Sequence, residues 1–479
     1  MIRTRIAPSP TGIPHIGNTR TALYNYLFAK QKGGKFIVRI EDTDRERFVK
    51  GAQKKILEIL RLLGFFWDEG PEVGGPYKPY IQSKKLRVYK KLAEKLVKEG
   101  KAYYCFCTKS RLDEMRKKQQ KAGRVPRYDR RCLTLSKKQI EKNLKEEKSY
   151  VIRLKVPKGQ KISWQDLIQG KIEFKSDDID DQVLLKSDGY PTYHLGVVVD
   201  DYQMKISHVL RGVEWISSTP KHILLYKAFD WKLPIFGHLP IILGPDKAKL
   251  SKRHGAKSAL DYQKEGYLPE ALNNFMAFLG WSYKDNSDLL SLKDLIKVFK
   301  IEDVRKANPI FDIDKLKWLN GCWIRKMANR NLAKLLKPYL KVKISDKDLV
   351  KLAAITKERI EVLSDIDEMA FFLKPLKKFD KKLIFAQAKK DKKQIANLVK
   401  KTTKSLKKIP QKKWSAANLE KSLRNLRNEF VDWKTREVFM IIRVIATGRQ
   451  VSPPLFESME ILGKERTVER FEKTIKLIQ

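Results

Sequence analysis

The sequence predicts an α/β fold followed by a helical C-terminal third, and three observations carry that prediction. Strand-like and helix-like segments alternate from the N-terminus to about residue 100, and the alternation returns after about residue 187. Between them, from Lys101 to about Lys186, short segments such as YVIRLKV, SWQDLI and GKIEF indicate an α+β insertion. Beyond about Trp318 the turn signals thin out and amphipathic runs take over, as in DLVKLAAITKERIEVLSDIDEMAFFL (348–373), so this part is expected to be all-helical.

Taken in order, Ile2 to Ile6 and Lys35 to Ile40 read as short strands, whereas Gly51 to Leu63 and Lys84 to Lys98 carry apolar residues at helical spacing. After the insertion, DQVLLKSDGYPTYHLGVVVDD (181–201) and MKISHVLRG (204–212) are rich in β-branched residues and read as strands. PKHILLYKAF (220–229) reads as a helix. There are no internal repeats and no low-complexity linker.

Composition excludes several classes. A chain of 479 residues, 42% hydrophobic and 33% charged, can bury real cores and is globular, dividing into roughly two to four domains. No run reaches the roughly 18–20 apolar residues of a membrane span, and MIRTR leads into a strand with no signal-peptide core, so a cytoplasmic protein with no membrane partner is expected. Cys105, Cys107, Cys132 and Cys322 are too few and too uneven for a disulfide framework; reduced thiols or a metal fit better. The net charge of +46 argues for a polyanionic partner, nucleic acid first, because neutralising phosphates releases counterions. The lysines are scattered along the whole chain, so Lys-rich composition by itself accounts for part of that charge.

The stretch RIAPSPTGIPHIGNTRTALYNYLFAKQKGGKFIVRIEDTD (5–44) raises the first functional question. Asn18 is a good N-cap, Ala22, Leu23, Tyr26 and Leu27 share a face, and Gly33-Gly34 closes the helix. Pro14-His15-Ile16-Gly17 then stands at the mouth of the helix after the first strand, where unpaired N–H groups favour an anion at the ligand-binding edge of an α/β sheet. Gly17 admits a base or ribose against the backbone, and His15 can donate to phosphate oxygens. Far downstream, GPDKAKLSKRHG (244–255) sets Lys249, Ser251, Lys252 and Arg253 in a cationic loop between Gly244 and Gly255.

Each motif alone is weak. In that order, separated by about 230 residues and an insertion between two α/β halves, they resemble the two signatures of class I aminoacyl-tRNA synthetases, which enclose ATP phosphates. Within that class, APSPTG (7–12), RIEDTDRER (39–47), GPEVGGPY (70–77), AYYCFC (102–107), PTYHLGVVVDD (191–201), RGVEW (211–215), STPKH (218–222) and GHLPIILGPD (237–246) resemble bacterial-type glutamyl-tRNA synthetases. GYLPEALNNF (266–275), FDIDKLKWLNG (311–321) and PPLFESMEILG (453–463) extend the resemblance over almost the whole chain.

The resemblance implies a split Rossmann-type class I synthetase catalytic domain, with an α+β acceptor-binding insertion and an all-α C-terminal anticodon-binding region. The implied division is 1–100 and 187–260 for the two catalytic halves, 101–186 for the insertion, 261–320 for a stem-contact helical region, and 321–479 for anticodon binding. It implies glutamate activation with ATP and Mg2+, then transfer to the terminal ribose of tRNA-Glu, with tRNA-Gln as an undecided second acceptor; the chain is read as a monomer. Activation is an attack of the glutamate α-carboxylate on the α-phosphate, so donors and cations are needed rather than a base. His15, Gly17, Lys249, Ser251 and Lys252 take that role, and Asn18, Glu214 and Arg253 join them around ATP.

Glutamate carries two carboxylates and one ammonium, so its pocket needs two cations and an acid. By resemblance Arg5 meets the side-chain carboxylate, Arg211 the α-carboxylate region and Glu41 the ammonium, with Ser9 and Tyr193 supplying hydroxyls. Thr43, Asp44 and Arg47 lie just past them, where the tRNA 3′-end arrives. Two departures from the family stand out: Asn18 replaces a His in the first signature, and Val213 stands where relatives carry an acid.

Cys105-x-Cys107 with Cys132 resembles a zinc knuckle whose fourth position here is Thr134, a poor ligand. Tyr128 is the candidate replacement, since a truncated tRNA-modifying relative uses Tyr so; zinc and no zinc both stay open. Cys322 reads as a helix-packing residue. Two further readings compete with the synthetase: a tRNA-modifying glutamyl transferase, opposed by the helical tail, and a non-catalytic tRNA-binding paralogue, opposed by intact signature residues. A glutaminyl enzyme is disfavoured by APSPTG and RIEDTD.

Overall fold

The first strand, β1 (Arg3–Ile6), runs parallel to β2 (Lys35–Val38) with Arg5 opposite Ile37, and α1 (Ile16–Gln31) connects them. In this computed structural model the residues described are 1–251, 257–283, 288–376 and 380–478. They form two units: Met1–Tyr262 with Pro269–Ile313, and Gln263–Leu268 with Asp314–Gln479.

In the first unit α2 (Ala52–Leu62) and α3 (Leu86–Lys98) follow at the places their apolar spacing predicts. Next come β3 (Ala102–Cys105), α4 (Lys109–Lys121), α5 (Lys137–Lys145), β4 (Val151–Leu154), a hairpin of β5 (Lys161–Asp166) and β6 (Gly170–Lys175), and β7 (Val183–Leu185). These strands are antiparallel, in the order β3-β4-β7 with β5-β6 apart, so the α+β texture from 101 onward is real. Then α6 (Tyr193–Gln203), β8 (His208–Gly212), α7 (Thr219–Ala228) and β9 (Ile235–Leu239) restore the parallel pattern, β8 pairing β9 with Arg211 opposite His238. The Ser207 amide donates to the Arg3 carbonyl at 3.0 Å, setting β8 beside β1.

Two local expectations fail for identifiable reasons. The β-branched run 195–199 is helical: it sits in α6, buried on every side from Leu195 to Asp201, and burial overrides the strand preference of valine. Asn18 is not the cap of α1. His15 is, its Nδ1 accepting the Gly17 amide at 3.0 Å, so Asn18 lies inside the first turn and faces solvent.

The core behind the parallel strands joins Tyr89, Ile152, Leu184, Leu195, Val199 and Leu225. In the second unit all the regular elements described are helices; Lys392–Lys408, Ala416–Arg427, Thr435–Thr447 and Lys464–Ile478 surround Leu398, Leu419, Ile441, Ile445 and Phe471. Asp391 and Gln394 form a reciprocal capping box at the start of the first of these, which holds a lysine-rich helix in place. Among the described residues no helix is long and apolar enough to cross a membrane.

Candidate active site

A cleft of about 920 Å³ opens at the mouth of α1, between the ends of β1 and β8, and one wall of it is an anion site. Because Nδ1 of His15 accepts the Gly17 amide, the proton of the neutral ring sits on Nε2, free to donate. Burial pushes this imidazole below its usual pKa and Lys249 adds to that, against Glu214, so it is a neutral donor. Gly17 is needed for the ring: a Cβ there would come within 2.9 Å of His15 Cε1. Lys249 is delivered by a tight turn in which Leu243 bridges Lys249 and the Leu250 amide donates to the Ile242 carbonyl. Lys249 and Glu214 are exposed on the cleft wall, Ser251 is half-buried, and Lys252 and Arg253 lie outside the described residues. Beneath α1 the buried Arg20 donates to the carbonyls of Leu279 and Pro240, adding a fixed positive charge on this side.

The other wall is an ion network. Arg5 donates to both oxygens of Asp201 at 3.1 and 3.2 Å, and Arg39, fully buried, donates to Asp201 at 2.7 Å and to Glu41 at 2.8 Å. Asp200 lies 3.6 Å from Arg39 and accepts from Lys85 at 2.5 Å, Gln82 at 2.9 Å and Tyr89 at 2.8 Å. Three cations (Arg5, Arg39, Lys85) thus meet three carboxylates (Glu41, Asp200, Asp201) out of water. Burial pushes the Glu41 carboxyl up, and the two hydrogen bonds from Arg39 oppose that. Arg5 therefore enters the cleft already paired with Asp201, which its expected role at the side-chain carboxylate does not foresee.

Arg211 differs. Its five N–H groups point to Nε2 of His238 (3.2 Å), the Tyr193 hydroxyl (3.2 Å), Nδ1 of His222 (3.2 Å), the Thr219 hydroxyl (2.8 Å) and the Trp215 carbonyl (3.4 Å). All are neutral, and no carboxylate bonds it among the described residues. Burial pulls this guanidinium below its ordinary pKa, with Arg5 adding to that and Tyr193 and Asp201 opposing it. The Trp215 ring lies 4.4 Å from that of Tyr193 and walls this corner. The remaining expected residues line the same cleft: Ser9 is exposed at its edge, Thr43 is buried, and Asp44 accepts from the exposed Arg47 at 2.7 Å.

In the insertion, Cys105, Cys107 and Cys132 present sulfurs within 4.8 Å of one another. The Tyr128 hydroxyl is 3.3 Å from Cys105 Sγ and 3.4 Å from Cys107 Sγ, while the exposed Thr134 turns to the Arg131 carbonyl. Hydrogen bonding from Cys132 draws the Cys105 thiol down to about 4 against burial, with Tyr128 and Arg153 assisting. A thiolate-bearing set of three sulfurs and one phenol oxygen suits a tetrahedral Zn2+.

Sequence reasoning missed Arg39, Asp201, His222, His238 and Asp166; Asp201 pairs with Arg39 and Arg5 across 162 and 196 positions, and Asp166 with His238 across 72. The paired acids ending VVVDD were the one available signal, since a carboxylate pair closing a buried apolar run must find cations.

Residues 1–318 match the catalytic-domain family of class I tRNA synthetases (E and Q), and residues 331–475 match an anticodon-binding domain. The chain is 45% identical over 489 residues to a glutamate–tRNA ligase of Dehalococcoides mccartyi (strain CBDB1), covering 99% of this chain and 97% of that protein. It is 42% identical to a glutamate–tRNA ligase of Clostridioides difficile (strain 630), covering 98% of each. Among solved structures, a glutamate–tRNA ligase from Elizabethkingia meningosepticum, crystallised with its amino acid, superposes with a TM-score of 0.92 at 37% identity over 100% of both chains.

Proposed function

This chain belongs to the glutamate–tRNA ligase family of class I tRNA synthetases, and we propose that the charge balance of its cleft selects glutamate for ligation to tRNA. It is an aminoacyl-tRNA ligase: glutamate and ATP give glutamyl-adenylate and pyrophosphate, and the glutamyl group passes to the 3′-terminal ribose of tRNA-Glu. The observation that carries the reading is that Arg5, Arg39 and Lys85 each bond a carboxylate, whereas every direct partner of Arg211 is neutral and Asp166 is held off from it behind His238. The side-chain carboxylate of glutamate supplies the directly bonded counter-ion that Arg211 lacks. Glutamine offers only an amide at that position and leaves Arg211 buried with no carboxylate bonded to it, a cost of about 1–3 kcal/mol or more for a charged group.

In this reading Arg211 and the Tyr193 hydroxyl it holds take the side-chain carboxylate, in place of Arg5, to which the resemblance gave that role but which Asp201 already pairs; Arg5 flanks the α-carboxylate, and Glu41 faces the ammonium. Ser9 borders the same end. The bound α-carboxylate then attacks the α-phosphorus in line while pyrophosphate leaves, with no protein nucleophile. Nε2–H of His15 and the ammonium of Lys249 donate where charge builds on the phosphates; Lys252, Ser251 and Arg253 are assigned there from the signature alone. Gly17 and Asn18 line the ATP side, Glu214 faces its sugar and base, and Mg2+ arrives bound to the nucleotide. Thr43, Asp44 and Arg47 border the place where the ribose hydroxyl of tRNA attacks the adenylate. The insertion is assigned to the acceptor end and the helical unit to the anticodon.

Cys105, Cys107, Tyr128 and Cys132 are assigned to one Zn2+, which supplies folding free energy to the insertion and no chemistry. Elemental analysis of the purified protein should find one zinc per chain, and its absence would remove the assignment. Charging of tRNA-Glu and tRNA-Gln with labelled glutamate tests the whole reading. Glutamyl-tRNA-Glu is the expected product, the tRNA-Gln arm decides whether the second tRNA is accepted, and failure on both would overturn it.

A further inference from the structure

Behind Arg211 lies a pair of residues that the ligation chemistry above does not use. Asp166 closes β5 in the insertion, and His238 lies on β9 as the register partner of Arg211; the side chains of Asp166 and His238 are both fully buried. Asp166 Oδ1 accepts three backbone amides, those of His238 (3.0 Å), Ile168 (3.1 Å) and Gln169 (3.0 Å). Its Oδ2 lies 2.5 Å from His238 Nδ1 and also accepts the Trp164 indole N–H at 3.4 Å. On the far side of the ring, Nε2 faces the Nε–H of Arg211 at 3.2 Å and the Thr219 hydroxyl at 3.0 Å.

We propose that Asp166 and His238 are positioning residues for the ligation, which aim Arg211 at the glutamate by fixing one tautomer of the imidazole; this rests on the placement of Arg211 in the glutamate site. The contacts on both sides of the ring favour one arrangement over a proton on Nε2, for which the Thr219 oxygen, already accepting from Arg211, would be the acceptor. A carboxylate has no proton, so Nδ1 must carry one toward Asp166, and Nε2 is left as a lone pair that accepts from Arg211. A proton on Nε2 would face a guanidinium N–H donor to donor. Burial and the neighbouring Arg211 keep the ring neutral, against the pull of Asp166. The hairpin of the insertion is thereby joined to the glutamate end of the cleft through two side chains.

Asp166→Asn tests this with almost no change of shape. The three amides at Oδ1 hold the new amide oxygen there, so NH2 takes the Oδ2 position and donates to Nδ1, driving the ring proton to Nε2 against Arg211. Nitrogen NMR of histidine-labelled full-length protein reads the tautomer directly. His238 should be Nδ1–H in the wild type and Nε2–H in Asp166→Asn, and the KM for glutamate should rise about tenfold or more while that for ATP moves less than about twofold. His238→Gln, which sets an amide oxygen where Nε2 stood, should keep a KM within about threefold of wild type; His238→Asn, which keeps only the bond to Asp166, should not.

An Nε2–H ring in the wild type, an unchanged tautomer in Asp166→Asn, or equal losses in His238→Gln and His238→Asn would overturn the proposal. Arg211→Gln separates it from the reading beneath it. If that substitution leaves the glutamate KM untouched, the placement of Arg211 fails and the proposal with it. If it raises the KM while the tautomer in Asp166→Asn stays put, the pair alone fails.

Discussion

At the end of the cleft proposed for glutamate, Arg5, Arg39, Lys85, Glu41, Asp200 and Asp201 are buried against one another, whereas at the end proposed for phosphate Lys249 and Glu214 stand in solvent and His15 is only partly covered. The contrast follows from what each end must recognise. A small amino acid is told from its amide by one charge, and a charge difference counts only where water does not screen it, so the discriminating groups are desolvated and held by opposite charges beforehand. Phosphates bring several charges of their own, and exposed cations can meet them without a standing desolvation cost. One end should therefore be stability-critical, and the other should matter chiefly for rate.

The substitution expected to act most strongly breaks the buried end. Asp201→Ala leaves Arg5 and Arg39 facing each other, and urea denaturation should show a loss of about 3–5 kcal/mol. A loss below about 1 kcal/mol would mean that the network relaxes and the contrast between the ends is false. At the open end, His15→Ala should slow adenylate formation, assayed with tRNA-Glu present, by about a hundred- to a thousandfold. Its stability should fall by only about 1 kcal/mol, the value of a lost helix cap. Equal damage to rate and stability would reduce His15 to a cap. Gly17→Ala should cost about tenfold in the same assay, because its Cβ meets the His15 ring. An unaffected rate would show that the ring tolerates displacement.

The smallest effect is on pH dependence. His15, His194, His208, His222 and His238 all fall below the ordinary imidazole range, burial being the leading cause in each, and His194 reaches about 4. The unfolded chain takes up these protons near pH 6.5 and the folded chain only at lower pH, so stability is full above about 6.5 and declines as pH falls. Urea midpoints should drop between about pH 6.5 and 4.5, less steeply in His194→Gln than in the wild type. A flat profile over that window would contradict the neutral, buried imidazoles.

The same division governs what could be read in advance. The open end is local in sequence: a strand, a tight turn and a helix place His15 and Gly17 within one motif, and one loop brings Lys249. Arg5, Glu41, Tyr193 and Arg211 were legible because their motifs end strands or begin helices at the cleft. Their counter-ions were not. Asp201 closes a helix that its valines disguise as a strand, Arg39 opens the same RIEDTDRER run as Glu41 yet that run does not say which distant acid it meets, and Asp166 reaches His238 across 72 positions. Charge pairing among buried residues is a long-range property, set by which strands adjoin. The capping role of His15 was hidden for a simpler reason: Asn18 is the better cap by propensity, and the helix begins three residues too early to use it.

The central claim is that Arg211, whose direct partners are all neutral, selects glutamate over glutamine. It is tested most directly by kcat/KM for charging tRNA-Glu with each amino acid, in the wild type and in Arg211→Gln. The account predicts that the substitution lowers glutamate charging by about a hundredfold or more while leaving residual glutamine charging within about tenfold, so that discrimination collapses. Equal losses for both amino acids, with the preference for glutamate intact, would contradict it.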